Sequence, residues 1–319
     1  MTEEMNVECS TIGVVGLGLM GSSIVVSLLA SGHHVVALAP IRGEKENAKK
    51  HISDLLDHAN SAGLLKKGLN ESTRSLFISE DYNCLSNCAI VIECVIEDKT
   101  IKSKVYHEIA SVVRPDTIIA SNTSAIPISV LQEYVEKPER FMGIHWAEPA
   151  YATRFLEITC GNKTKVENAE MVYKMANNWG KEPTLLRKDI RGFITNRLMY
   201  AIYRESFALV ESGKATMTDV DKAFKYGVGS WITLMGIFKR MDVEGLENSA
   251  KIINSILPVL SNKTTVPKVM QKIVEVKGRG IYNQSGLFDY TAEECKVWEQ
   301  QFASFIKDIS RLAERYPSI

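Results

Sequence analysis

Thr11 to Gly21 reads TIGVVGLGLMG, and this stretch decides the fold. Ile12, Val14 and Val15 form the apolar run of a buried strand. Gly16-x-Gly18-x-x-Gly21 follows, and an apolar helix then runs from Ser22 to Ala30. In such a turn the first glycine permits the tight passage from strand to helix. The second lets the backbone approach a pyrophosphate, and the third lets helix and strand pack closely. The helix start offers N–H groups and the positive end of its dipole to phosphates. A glycine triplet alone is weak evidence, since a glycine-rich turn in another α/β protein shares it. The strand before it and a second strand, His34 to Leu38, after it favour a dinucleotide site. Gly16, Leu17, Gly18, Leu19, Met20 and Gly21 are the candidate contacts.

Outward from this turn, strand-like and helical runs alternate. Strands are expected at Ile12–Val15, His34–Leu38, Ala89–Cys94, Thr117–Ala120, Phe141–His145 and Phe155–Thr159. Helices are expected at Ser22–Ala30, Glu44–Ala62, Ile101–Val113 and Val166–Trp179. Alternation of this kind gives a doubly wound, mostly parallel sheet with helices on both faces. The charged stretch from Glu44 to Asn70 reads as a helix or helical hairpin inserted after the second strand. From about Gly192 the strand signals fade. Phe193, Leu198, Ile202 and Leu209 recur at helical spacing, and helices with glycine-bearing turns (Gly227-Val228-Gly229, Gly278-Arg279-Gly280) fill the rest. Two domains are expected, residues 1–190 and an all-α domain over 191–319, with a ligand cleft where they pack.

Composition bounds the function. At 319 residues the chain is too long for one ordinary core. Lys+Arg and Asp+Glu balance at 38 each, which gives no reason to expect nucleic acid or a membrane surface as partner. No apolar run reaches transmembrane length, and Met1 to Ser10 is acidic and polar, unlike a signal peptide, so a cytoplasmic protein is expected. Six cysteines (Cys9, Cys84, Cys88, Cys94, Cys160, Cys295) form no CxxC pair and have no His-rich companion segment. Idle thiols are expected, with no disulfide and no metal.

Three polar groups stand out. His145 ends a strand-like run, and Glu157 follows twelve residues later inside the apolar segment Arg154–Ile158. A carboxylate on an apolar strand needs a partner, and an imidazole whose tautomer it would fix is an apt one. The alternative is a surface histidine and a solvated glutamate. Ser121-Asn122-Thr123-Ser124 follows another strand, where it could orient a ligand or simply cap the helix before Ile126. Asn196 lies early in the first helix of the second domain.

GLGLMG (16–21), ECVIEDKTIK (93–102), ASNTS (120–124), GIHWAEP (143–149), RFLEI (154–158) and GFITNRL (192–198) together resemble the L-3-hydroxyacyl-CoA dehydrogenase family. The resemblance includes its relatives that act on free 3-hydroxy acids, and it runs nearly the whole length in matching order and spacing. It implies an α/β Rossmann-type N-terminal domain, an all-α C-terminal domain that dimerises, and NAD as cofactor. His145 would be the general base at the substrate 3-hydroxyl and Glu157 would hold its imidazole. Ser124 and Asn196 would contact the substrate oxygen, Asn196 from across the domain boundary. Cofactor contacts carry over to Glu97, Lys102, Asn122 and Ser124. The expected substrate is an L-3-hydroxyacyl-CoA, the alternative a free 3-hydroxy acid, and a third reading is a non-catalytic dinucleotide-binding protein. A homodimer would cover Met199, Ile202, Phe207 and Leu209.

Three positions depart from the family pattern. Ala39 stands where the family has an Asp for the adenosine ribose, and Arg42 is close enough to meet a 2′-phosphate, which opens the site to NADP. Glu148 replaces the Asn before the proline and should face the nicotinamide. Leu55 and Ala62 fall where the classical enzymes place Ser and Lys against coenzyme A. Lys49, Lys50, Lys66 and Lys67 would then be the available phosphate partners. Ser230, before Trp231, stands where the free-acid relatives often carry an Arg.

Overall fold

Short β-branched runs buried on both sides build the centre of the sheet, as parallel strands require. They are β1 (Thr11–Val15), β2 (His34–Leu38), β4 (Ile90–Glu93) and β5 (Ile118–Ser121), joined by β3 (Leu76–Ser79), β6 (Phe141–Trp146), β7 (Phe155–Cys160) and β8 (Glu182–Leu186). The computed structural model describes residues 10–315. Its eight strands run in the order β3-β2-β1-β4-β5-β6-β7-β8. Every neighbouring pair is parallel except β6 and β7.

Successive side chains on a strand face opposite ways, so the sheet separates two cores. Ile12, Val14, Ile90, Ile92, Ile118 and Ala120 face α1 (Leu19–Ala30), α2 (Lys45–Ser61) and α6 (Val166–Asn177). Val15, Val91, Ile119 and Phe141 face α4 (Lys99–Val112) and α5 (Ile128–Leu131). The doubly wound, mostly parallel sheet expected from the sequence is thus present. The insert is a pair of helices, α2 and α3 (Gly68–Arg74), followed by β3.

The chain divides into two compact units, 1–196 and 197–319, just past the boundary at 190 expected from the sequence. The reason lies in the residues between. Ile194 and Thr195 donate backbone N–H groups to Glu157 of β7, which ties the start of α7 (Thr195–Glu211) to the sheet. Asn196, expected on the helical domain, therefore belongs to the first unit.

The second unit is helical. It holds the rest of α7, then α8 (Met217–Ala223), which runs through a π-helical turn (Phe224–Val228) into α9 (Gly229–Ile232). After these come α10 (Ile237–Glu244), α11 (Leu246–Ile256), α12 (Lys268–Glu275) and α13 (Ala292–Arg315). Two isolated bridges, Gly280 with Ser285 and Ser285 with Asp289, also lie there. Among the described residues no helix is long and apolar enough to cross a membrane. Cys84, Cys88, Cys94, Cys160 and Cys295 are free thiols, and Cys9 lies outside the described residues.

Candidate active site

The glycine turn is built as its sequence implies. Gly16 has φ +93°, and its N–H donates to Leu38 O (3.0 Å), closing the turn against the end of β2. A Cβ on Gly21 would lie 1.8 Å from Gly16 O, so only glycine lets α1 approach the turn. Gly18 is different: a Cβ there meets nothing within 4 Å. The backbone at Gly18 faces open space at the N-terminus of α1, and no side chain caps that helix. This open cradle suits a pyrophosphate. Leu19 is exposed beside it, Leu17 is buried, and Met20 packs partly into the core.

His145 and Glu157 face each other across the β6–β7 antiparallel pair. Residues directly opposite in such a pair share a face of the sheet with their Cβ atoms about 5 Å apart, which explains the spacing of twelve. His145 Nδ1 lies 3.2 Å from Glu157 Oε2. A carboxylate only accepts, so Nδ1 carries the proton and Nε2 is the basic nitrogen. Glu157 is fully buried, and its Oε1 accepts from Ile194 N (2.8 Å) and Thr195 N (3.3 Å) at the start of α7. That end of a helix stabilises negative charge. The imidazole, 14% exposed, packs edge-on against Phe155 and beside Phe193. Phe193 is buried with φ +50°, a left-handed conformation costly for an aromatic residue.

Asn196, adjacent to Thr195, donates from Nδ2 to Ser124 O (3.0 Å). Asn122 Oδ1 accepts from Trp146 N (3.0 Å), fastening the end of β5 to the end of β6. A continuous set of contacts thus joins Ser124, Asn196, Glu157 and His145 beside the carboxyl ends of β5 and β6, where α/β ligands bind. Thr123 Oγ1 accepts from Ile126 N (3.0 Å) and donates to Glu97, so this loop is braced by its threonine while Ser124 stays exposed.

Lys102 sits in a buried ion-pair cluster. Expected among the cofactor contacts, it is 1% exposed, and its ammonium donates to Glu93 Oε1 (2.7 Å) and lies 3.2 Å from Glu97 Oε2. Glu93, fully buried at the end of β4, was not singled out from the sequence. It also accepts from Val95 N (2.7 Å), Tyr106 Oη (2.8 Å) and Ser121 Oγ (2.8 Å). Lys102 and Tyr106 sit one turn apart on α4, a signal the sequence did contain.

Glu148 follows His145 on the loop to β7. Its Oε2 is buried without a hydrogen-bond partner among the described residues. Burial raises its carboxyl pKa above the ordinary range, and the Ser23 hydroxyl beside it partly offsets this. An orphaned oxygen here fits the amide of a nicotinamide ring, which would supply the missing donor. The same loop is held by Lys181, also missed, whose ammonium donates to Ala150 O and Thr153 O over the Trp146 ring. Burial, and secondarily the charge of Arg154, depresses Lys181 to about 7. Ala39 is buried at the tail of β2, and Arg42 is exposed on the loop beyond it. Among the described residues no group of three His, Cys, Asp or Glu side chains could hold a metal.

Residues 11–190 match the family model described as 3-hydroxyacyl-CoA dehydrogenase, NAD binding domain, and residues 192–290 match that of its C-terminal domain. The chain is 31% identical over 306 residues to a 5-formyl-3-hydroxy-2-methylpyridine 4-carboxylate 5-dehydrogenase of Mesorhizobium japonicum, covering 95% of this chain and 98% of the relative. It is 28% identical over 312 residues to an L-carnitine dehydrogenase of Bacillus cereus, covering 96% and 93%. A crystal structure of the 5-formyl-3-hydroxy-2-methylpyridine 4-carboxylic acid 5-dehydrogenase, described as an NAD+ dependent dismutase, superposes with a TM-score of 0.88 at 30% identity, covering 96% of this chain and 99% of that one. The glycine cradle, the strand-end polar groups and these matches agree, and the chain belongs to the 3-hydroxyacyl-CoA dehydrogenase family of nicotinamide-dependent dehydrogenases.

Proposed function

We propose that this protein interconverts a secondary alcohol and its carbonyl on a small free hydroxy acid, with NAD(H) as the redox partner. The observation that carries this reading is the His145–Glu157 pair, a basic imidazole nitrogen held by a buried carboxylate at a strand end. Bound nicotinamide supplies the hydride acceptor or donor. His145 Nε2 takes the hydroxyl proton in oxidation and returns it in reduction, and Glu157 stabilises the imidazolium that forms. Ser124 and Asn196 hold the substrate oxygen near that nitrogen. The backbone around Gly18 takes the pyrophosphate, and Glu148 faces the carboxamide. Asn122 and Glu97 border the nicotinamide side of the site, with Lys102 fixing Glu97. The connected, intact polar set argues against a purely structural role.

The free-acid reading rests on the insert and on the relatives. Leu55, where the classical enzymes place a serine against coenzyme A, packs against the hydrophobic core. Lys66 is spent on Asn178 O (3.1 Å) and Lys67 pairs with Glu71 (3.4 Å). The two relatives described above are named for substrates without coenzyme A. The second reading is an L-3-hydroxyacyl-CoA, favoured by the family's own description and by the exposed Lys49 and Lys50, which could meet its phosphates. Initial rates separate the two. Acetoacetyl-CoA reduction with NADH is expected to be negligible beside NAD+ reduction by a panel of free 3-hydroxy acids. Fast acetoacetyl-CoA turnover with inert free acids would install the thioester reading instead.

We further propose a cytoplasmic homodimer. Free thiols suit a reducing compartment. Among the described residues none past Phe193 is buried, so the helices of the second unit expose apolar faces that a second copy would cover.

A further inference from the structure

We propose that Glu80, with Asp81 beside it, replaces the missing carboxylate at the end of β2 and selects NAD(H) over NADP(H). The inference rests on the dinucleotide reading of the glycine turn. In folds of this type an acidic residue some twenty positions after the glycines accepts from the ribose hydroxyls and repels a 2′-phosphate. Here that position is Ala39, whose buried methyl group can do neither. Arg42, three residues on, is by itself an invitation to a 2′-phosphate.

The strand next door changes the balance. β2 and β3 are parallel with Leu38 opposite Ser79, and Ala39 N donates to Ser79 O (2.9 Å). Glu80 therefore follows immediately beside Ala39, one strand spacing (about 4.8 Å) away. A cavity of about 410 Å³ opens at this edge, lined by Pro40, Arg42, Ser79, Glu80 and Asp81. The first glycine is tied to the same end of β2 through Leu38 O, so on the dinucleotide reading the adenosine ribose would fall toward this cavity.

Its walls carry two carboxylates against one guanidinium. Glu80 Oε1 accepts from Gly43 N (2.7 Å), which fixes the loop bearing Arg42, and Asp81 Oδ1 accepts from Asn83 N (3.0 Å) and Nδ2 (2.9 Å). Each carboxylate keeps a second oxygen with acceptor capacity. A ribose hydroxyl can donate to Glu80. A phosphate carrying close to two negative charges meets net repulsion, worth about tenfold in affinity at such distances in a solvated site.

Binding of NADH and NADPH to the full-length protein, followed by quenching of tryptophan fluorescence, tests this without turnover. The wild type should bind NADH at least about tenfold more tightly. Glu80→Gln, which retains an acceptor for Gly43 N, should narrow that ratio several-fold, and the double variant with Asp81→Asn should narrow it further. Arg42→Ala should widen it. Added salt screens repulsion and should raise NADPH affinity relative to NADH. Tighter NADPH than NADH in the wild type, or a ratio unchanged by Glu80→Gln, overturns the proposal and leaves the dinucleotide reading standing. Binding of neither nucleotide removes both.

Discussion

Glu157 shows how one buried charge can organise a site. Its two oxygens hold the His145 imidazole on one side and the first N–H groups of α7 on the other. The proposed base and the segment leading to Asn196 are therefore set by the same carboxylate. Glu157→Gln preserves shape but turns an N–H2 group toward a donor. We expect kcat to fall about 10²- to 10³-fold with NADH affinity unchanged. His145→Ala should abolish nearly all turnover and also spare cofactor binding. Steady-state rates beside fluorescence titration decide this, and turnover within threefold of wild type in either variant would remove the pair from the chemistry. Spacing alone left this pair open against a surface histidine and a solvated glutamate; the family resemblance favoured it, and the antiparallel register of β6 and β7 brings the two side chains together. Glu93 was not legible as a hub, because its donors come from three separate segments: Val95 on the following loop, Ser121 on β5, and Lys102 with Tyr106 on α4.

At the scale of elements, the central strands were readable and the edges were not. β1, β2, β4 and β5 are mostly buried apolar runs rich in Val and Ile, whereas β3 has no fully buried residue and turns Phe77 to solvent, and β8 contains Pro183. Both missed strands are the outermost of the sheet. Edge strands are half solvated and tolerate proline, so their patterns are broken. The glycine turn makes a paired prediction. Gly18→Ala should leave Tm within about two degrees while weakening NADH binding, since its Cβ enters only the open cradle. Gly21→Ala drives a methyl group into Gly16 O and should cost about 3 kcal/mol or more. Thermal melts with NADH titration distinguish the two, and equal melting temperatures would mean that the α1 approach is not close.

The loop between β6 and β7 carries a pH signature of its own. Lys181 releases its proton near pH 7 when folded and near 10.5 when unfolded. Between those values the unfolded chain binds the extra proton, so this residue's contribution to stability grows as pH rises from 7 toward 10.5. It is lost as pH falls back through 7. Neutral lysine still has two N–H donors for Ala150 O and Thr153 O, so the anchor survives deprotonation. In Lys181→Met the wild-type rise should flatten, by an amount on the order of a few kcal/mol. Chemical denaturation at pH 7 and pH 9.5 measures it, and parallel pH profiles for the two proteins would show that Lys181 stays charged inside the fold.

For the molecule as a whole, the second unit is distinguished by the apolar surface it exposes. Its helices are amphipathic, yet among the described residues they bury no side chain completely, while Phe238 is 83% exposed and Val259 77% exposed. A helical unit of this length is held together by a shared apolar core, since helix propensity alone is too weak. The sequence could show that these helices were amphipathic. It could not show that their apolar faces lack cover within one chain, because periodicity says which face is apolar and not what lies against it. If a second copy covers them, folding of this unit and association are one equilibrium, and mass action ties stability to concentration. Light scattering should give twice the 35.6 kDa of the chain at micromolar concentration. Tm should also climb by several degrees as protein is raised a hundredfold, because each tenfold in concentration adds about 1.4 kcal/mol to a dimer's apparent stability. A monomer by scattering whose Tm ignores concentration would mean that these faces are stable in water, and the homodimer would have to be abandoned.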